Sequence, residues 1–276
     1  MIGIEYRQVA AVAAKELRDR LRNRWVLAVA VVFAVFSLVI SYFGGAEQGT
    51  LGPRSIEFVI TSLVSLVIYL IPLIALLLGF DAIVGERERG SLDLLLALPL
   101  TRVELLLGKY LGLAAALTLS TLGGFALMAV LLWHQFGSAG LYQAAGFVLS
   151  SVLLGLVFLS LALFVSVVSR ERTRASGAAI ALWFGFVLIF DLLLLGLLVA
   201  TGGSFGGQAL VYLLLLNPTD IFRILNVFSL DQLRGMHGLS ASCRRPWAIP
   251  GRWARRCWPG SRPRWGWRPG DSVHEP

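Results

Sequence analysis

Few residues in this chain could do chemistry, and they stand where hydrocarbon would surround them or where apolar runs break. Asp191, in WFGFVLIFDLLLLGLLVA, is the one acid deep inside such a run. An ionised side chain at a bilayer centre costs on the order of 3 kcal/mol on insertion scales. Asp191 therefore needs a partner, an aqueous cavity or a proton. It is the intramembrane candidate for handling a transported ion or proton, with a packing contact as the plainer alternative. Asp81 and Glu57, near the ends of another run, read as solvated ends.

The usual catalytic patterns are missing. Gly108-Lys109 is followed by Tyr110, so there is no G-x-x-x-x-G-K-[ST] to cradle a nucleotide. His134, His237 and His274 form no H-E-x-x-H. Gly202–Gly206 spells G-x-S-x-G around Ser204, but it follows an apolar run. A nucleophile elbow needs a strand–turn–helix setting. The only methionines are Met1, Met128 and Met236, and no cysteine precedes Cys243, so the apolar body lacks a soft-metal ligand set. An enzyme would have to be built on Asp191 and a second acid, and none is visible. The chain reads as a non-enzyme with no cofactor of its own and no metal site.

The densest charge lies in Gly85-Glu86-Arg87-Glu88-Arg89-Gly90, followed by Ser91, Leu92 and LDLLLALPLTR through Pro99, Leu100 and Arg102. Four consecutive ionised side chains must face water. Leu92, Leu95, Leu96 and Leu100 then offer an apolar face at helical spacing. A charged turn feeding a short amphipathic helix between two spans is what a membrane subunit would present to a soluble motor. Residues 85–104 are the expected coupling loop.

These residues are positioned by a chain that is 57% hydrophobic and 14% charged over 276 residues, an integral membrane composition. Runs of about 20 apolar residues cross a bilayer. Trp25–Phe43, Ile56–Val84, Leu105–Trp133, Gln143–Val168 and Ala175–Ala200 qualify, with Pro72 expected to kink the second. The expected fold is all-α, a polytopic bundle with five spans. Lys and Arg alternate along the connections: six in 1–24, one in 44–55, four in 85–110, none in 134–142 and three in 169–174. By the positive-inside rule the N-terminus, the 85–110 loop and Ser169–Arg174 are cytoplasmic, and Gly44–Ser55, His134–Tyr142 and everything from Thr201 lie outside. Trp25–Phe43 reads as a retained anchor rather than a cleaved signal peptide, because no A-x-A-like site follows it. There are no apparent internal repeats.

Two amphipathic stretches flank the spans. In residues 1–24, Tyr6, Ala10, Ala13, Leu17 and Leu21 share a helical face, with Arg7, Lys15, Arg18 and Arg22 around it and Glu16 between. Such a helix lies along lipid headgroups, or simply sets topology. In 201–240, Asn217-Pro218-Thr219-Asp220 ends one helix and caps another. Ile221, Phe222, Leu225 and Phe228, beside Arg223, then give an interfacial face. Gly108-x-x-x-Gly112 permits close helix approach, a weak match among 29 glycines. Gly123-Gly124 reads as close packing.

From Ala241 the character changes. Residues 241–276 hold five of the eight Trp, six of the ten Pro, both cysteines and eight Arg against two acids. A tail binding nucleic acid or anionic lipid, a disordered extension and an out-of-frame translation compete. The abruptness of the change and the odd span number favour the last, and a nucleic-acid partner is not expected.

The pattern Val84-Gly85-Glu86, Arg89-Gly90-Ser91-Leu92, Leu95-Leu96, Pro99-Leu100-Thr101-Arg102 and Leu107-Gly108-Lys109 resembles the type-2 ABC exporter permeases. With KELRDRLRNRW at Lys15–Trp25 and LLLLNPTDIFRILN at Leu213–Asn226, the resemblance narrows to permeases of transporters that mature nitrous-oxide reductase. It covers about residues 10–240. It implies a bacterial inner-membrane homodimer with six spans per chain, a cytoplasmic ATPase dimer that binds ATP and Mg, and a periplasmic β-helix accessory protein. The implied role is supply of the reductase's copper–sulfur centres. By the same resemblance, Lys15, Glu16, Arg18 and Arg22 belong to a connector helix and Glu86–Arg102 to the ATPase-coupling segment. Asn217, Pro218, Thr219, Asp220 and Arg223 then belong to helices near the periplasmic partner. The chain departs from the family in showing no sixth apolar run. Two readings from other classes remain open at this point: a membrane-embedded enzyme using Asp191, and a passive channel or scaffold.

Overall fold

A computed structural model of the chain describes residues 5–43, 56–97, 100–202 and 212–227, and among these every regular element is a helix. The first are α1 (Tyr6–Arg22), α2 (Trp25–Phe43), α3 (Ile56–Gly79), α4 (Val84–Glu88) and α5 (Ser91–Leu96). There follow α6 (Arg102–Val168), α7 (Arg172–Phe184), a π-helical turn (Gly185–Ile189) and α8 (Phe190–Ala200). A helical turn at 212–215 precedes α9, residues 218–227. The tail 241–276, Phe228, Ser204, His237, Pro99 and Gly44–Ser55 lie outside the described residues, as does the side chain of Glu57.

Among the described residues, three helices are long and apolar enough to cross a membrane, or four if the bent pair α1–α2 counts as one. The 67-residue α6 is one of them, and it doubles back at Gly137, whose φ of 62° and ψ of −142° are not helical. Glycine alone enters that region without a Cβ penalty. The two arms then run antiparallel: the Tyr110 hydroxyl lies 3.5 Å from the Leu156 carbonyl, the Phe125 and Phe147 rings are 5.2 Å apart, and Gly140 sits against the Leu132 carbonyl. With α2, α3 and the continuous α7–α8 segment, the two arms of α6 make up the apolar bundle among the described residues. Pro72 sits inside α3, which continues across it.

Packing in a bilayer relies on close van der Waals contact rather than on expulsion of water. An aromatic ladder supplies it across four elements. Phe33 of α2 meets Phe125 at 5.0 Å, Phe125 meets Phe147, and Phe147 meets Phe222 of α9 at 6.1 Å. Gly124 lets α2 approach: a Cβ there would strike that of Phe33, so the close-packing reading of Gly124 holds.

α1 ends where Arg24 takes a φ of 54°, and its axis turns by 61° into α2. On α1 Val9 is buried and Val12, Ala13, Glu16 and Leu17 are half-buried, while Tyr6, Ala10 and Leu21 are exposed. This differs in part from the face expected on periodicity, because α1 packs along the start of α6 and not only along a headgroup plane.

Candidate functional site

The segments assigned to one side by their charge meet at one end of the bundle, termed here the basic end. Their junction is Lys109 on the first arm of α6, which is 4% exposed. Its Nζ lies 3.2 Å from Glu16 Oε2 of α1 and 2.8 Å from Glu86 Oε1 of α4. Arg20 holds the other Glu16 oxygen at 3.1 Å. Burial pushes the Glu16 carboxyl up, but the Lys109 and Arg20 charges outweigh it and hold the pKa below the ordinary carboxylate value. A buried cation between two carboxylates ties three elements to one geometry, since removing any partner strands a desolvated charge.

Two glycines seat α1 beside this junction. A Cβ on Gly108 would lie 2.6 Å from that of Val12, and one on Gly112 would lie 2.7 Å from the Ala13 carbonyl oxygen. The G-x-x-x-G that looked weak in the sequence is the bed of α1. At the head of α6, Thr101 and Glu104 form a reciprocal capping box, which satisfies otherwise orphaned amides. The second Glu104 oxygen accepts the Glu5 amide at 2.7 Å, so the same carboxylate also fixes the start of α1.

The α4 turn is held from its other side by the second arm. Ser166 Oγ accepts the amides of Ile83 and Val84 at 2.9 and 3.1 Å, capping α4. Arg87 donates to the carbonyls of Ser169 (2.6 Å) and Val167 (3.3 Å), the last of that arm. Glu88 accepts the Arg172 amide at 2.6 Å, and Asp81 pairs with the Arg172 guanidinium at 2.9 Å. Asp81 is thus an anchor, where a merely solvated end was expected. Arg89 closes its own turn by donating to the Gly85 carbonyl at 2.8 Å. Gly90, with φ of 70°, starts α5.

Most charged groups expected to face a partner therefore also bond groups within the chain. What remains outward on α5 is Asp93 and Leu94, the latter 74% exposed, while Ser91, Leu92, Leu95 and Leu100 are half-buried. Arg102 is exposed at the start of α6, and Lys15, Arg18 and Arg22 lie on the outer side of α1. A cleft of about 500 Å³ opens between α1 and α4, lined among others by Lys15, Asp19, Arg20, Glu86 and Arg89.

A second polar cluster joins Asp191 to the Asn217–Arg223 segment. Arg223 holds Asp191 Oδ2 and Asp220 Oδ1, each at 2.9 Å. Asn217 donates to Asp220 Oδ2 at 3.1 Å and to the Phe186 carbonyl at 2.8 Å. Thr219 turns back onto Asn217 Oδ1 through its amide at 3.1 Å and its hydroxyl at 2.8 Å. Phe186 lies in the π turn, where widened i→i+5 bonding frees backbone groups and which often marks functional positions. Asn217, Thr219 and Asp220 are all at most 1% exposed.

The Asn217 end of α9 packs on the bundle at Phe186, halfway along the Arg172–Ala200 segment. Phe222 is buried against Phe147, and Asn226 donates to Ser150 Oγ at 3.0 Å. The cause is local: Pro218 lacks an amide to satisfy, and Asn217 finds the π-turn carbonyl as its partner. Asp191, its side chain 36% exposed, has Arg223 as its partner. A second acid, Asp220, which the sequence did not reveal, stands near it, and Arg223 bridges the two. Among the described residues, no three His, Cys, Asp or Glu side chains converge as a metal site would require.

Sequence reasoning missed Lys109, Glu104, Ser166 and Arg172. The T-x-x-E of Thr101–Glu104 carried a readable signal; the other three had none.

The chain matches the family model described as ABC-2 family transporter protein over residues 10–235. It is 49% identical over 227 residues to a protein of Pseudomonas aeruginosa named "Probable ABC transporter permease protein NosY", covering 81% of this chain and 82% of that one. A protein of the same name from Stutzerimonas stutzeri is 47% identical over 249 residues, covering 88% of this chain and 90% of the relative.

Proposed function

The chain belongs to the ABC-2 family of transporter proteins, and on that premise we propose that it is the permease subunit of an exporter serving nitrous-oxide reductase maturation. In this reading its basic end faces the cytoplasm of a bacterium and receives force from a separate ATPase that binds ATP and Mg. Two copies of the chain form the membrane unit, and a periplasmic β-helix accessory protein works on the opposite side. The chain itself performs no chemistry; it transmits motion and passes or delivers what the copper–sulfur centres of the reductase need.

The observation that carries the coupling role is the buried Lys109. Through Glu86 and Glu16 it locks the α4 turn, the connector helix and the first arm together, so a push on α5 reaches all three. Arg87 and Glu88 extend the lock to the second arm and α7. A passive channel has no use for a short exposed helix mounted on so many fixed points. The link to the reductase is supported by the names of two relatives that each align over at least four-fifths of their length.

Removal of the gene from a denitrifying host, with the reductase purified and its copper and sulfide content measured, tests the proposal. The reading expects apo-reductase without the chain and restored metal content on complementation. Fully loaded reductase in the deletion strain would refute it.

A further inference from the structure

Two hollows at the basic end share the walls Leu106 and Val167 and form one continuous groove between the arms of α6. The outer hollow, about 380 Å³, is lined by Arg87, Arg102 and Leu105 together with those two residues. The inner one, about 340 Å³, is lined by Leu107, Leu163, Phe164, Tyr110 and Ser160. Neither contains a carboxylate, unlike the mixed-charge cleft under α1. Arg102 has no ion pair or side-chain hydrogen bond among the described residues. Arg87 caps carbonyls of the second arm yet stays exposed.

We propose that this groove holds an anionic phospholipid of the inner leaflet, its phosphate between Arg102 and Arg87 and an acyl chain laid between the arms. The chemistry asks for a ligand anionic at one end and apolar along the rest. From Arg102 to Tyr110 the groove advances about 12 Å along the helix axis, at roughly 1.5 Å per residue. A peptide of a soluble partner would have to bury bare backbone amides in hydrocarbon to follow it, which is costly; an acyl chain does not. Clustered Arg at the cytoplasmic surface attracts anionic headgroups in the same way. Because the headgroup sits beside the Arg87 clamp, the lipid would brace the coupling turn against the second arm. The inference rests on the cytoplasmic orientation proposed above but not on the identity of the exported material.

The test is native mass spectrometry and lipid extraction of the permease–ATPase complex after exchange into nanodiscs of equal phosphatidylglycerol and phosphatidylcholine. The groove predicts several-fold enrichment of phosphatidylglycerol, cut at least fivefold by Arg102→Gln and retained by Arg102→Lys. Ser160→Trp, which fills the inner hollow without changing charge, should displace the lipid as well. Equal retention of both lipids, or phosphatidylglycerol kept by both Arg102→Gln and Ser160→Trp, would overturn the proposal. So would thermal stabilisation by glycerol 1-phosphate or inorganic phosphate equal to that by the lipid, which would leave the apolar groove without a role. Phosphatidylglycerol bound by the permease alone but absent from the permease–ATPase complex would assign the groove to the protein partner instead. Since the readout is bound lipid, failure of the reductase assignment leaves it unaffected.

Discussion

Lys109→Met gives the sharpest account of the basic end. The side chains of Lys109, Glu16 and Glu86 are 5%, 12% and 14% exposed, so all three charges are largely desolvated. Taking the cation away does not cost its two partners equally. Glu16 keeps Arg20 at 3.1 Å. Glu86 loses its only ion pair among the described residues, and its other oxygen is already buried without a hydrogen-bond partner. Stranding one buried charge typically costs about 3–5 kcal/mol; the lower end, about 3, fits a site beside an open cleft. At roughly 2–4 °C per kcal/mol for a chain of this size, the thermal midpoint should fall by about 6–12 °C. Adding Glu86→Gln removes the stranded charge and should recover about half of that. The assay is thermal unfolding of detergent-purified protein followed by size exclusion. A Lys109→Met midpoint within about 2 °C of wild type, or no recovery from Glu86→Gln, would refute the reasoning.

Other perturbations follow from the same geometry. Gly112→Val must push α1 off its bed, since even a Cβ lies 2.7 Å from the Ala13 carbonyl oxygen. A cost of about 1–3 kcal/mol and protease sensitivity of the first 24 residues are expected in a chain that still inserts. Asp191→Asn breaks a half-exposed pair with Arg223, so it should cost under about 1 kcal/mol and leave assembly intact while lowering reductase copper content. A fully loaded reductase would reduce Asp191 to a packing contact.

Much of the architecture was legible because a bilayer leaves few choices. Twenty-residue apolar runs gave the apolar arms, and the alternation of Lys and Arg grouped α1, α4–α5 and Ser169–Arg174, which meet at one end. The site was less legible because its contacts are long-range. Lys109 reads in the sequence as one more topology-setting charge; its partners lie 93 and 23 residues away, and no local period announces them. Arg87 and Glu88 read as docking groups because charge in a loop usually faces water; both are exposed, and each also bonds backbone groups at the ends of α6 and α7. The burial of Asn217 was hidden for a related reason. Its partner is a main-chain carbonyl freed by the π turn, and a backbone distortion of that kind has no sequence signature among the apolar residues of Gly185–Ile189. Asp191 could be seen to need a partner, but that the partner is Arg223 required the fold.

The claim that α5 is the surface through which the ATPase drives this bundle is tested most directly by Leu94→Glu. Leu94 is 74% exposed and has no structural duty in the chain, so the permease should keep its midpoint and its place in the membrane. Burying a leucine at an interface is worth about 2 kcal/mol, so losing it should weaken ATPase retention roughly 30-fold. The measurement is quantitative co-purification of the ATPase with tagged permease from membranes. Loss of the ATPase from an intact permease is the predicted result; retention equal to wild type would contradict the account.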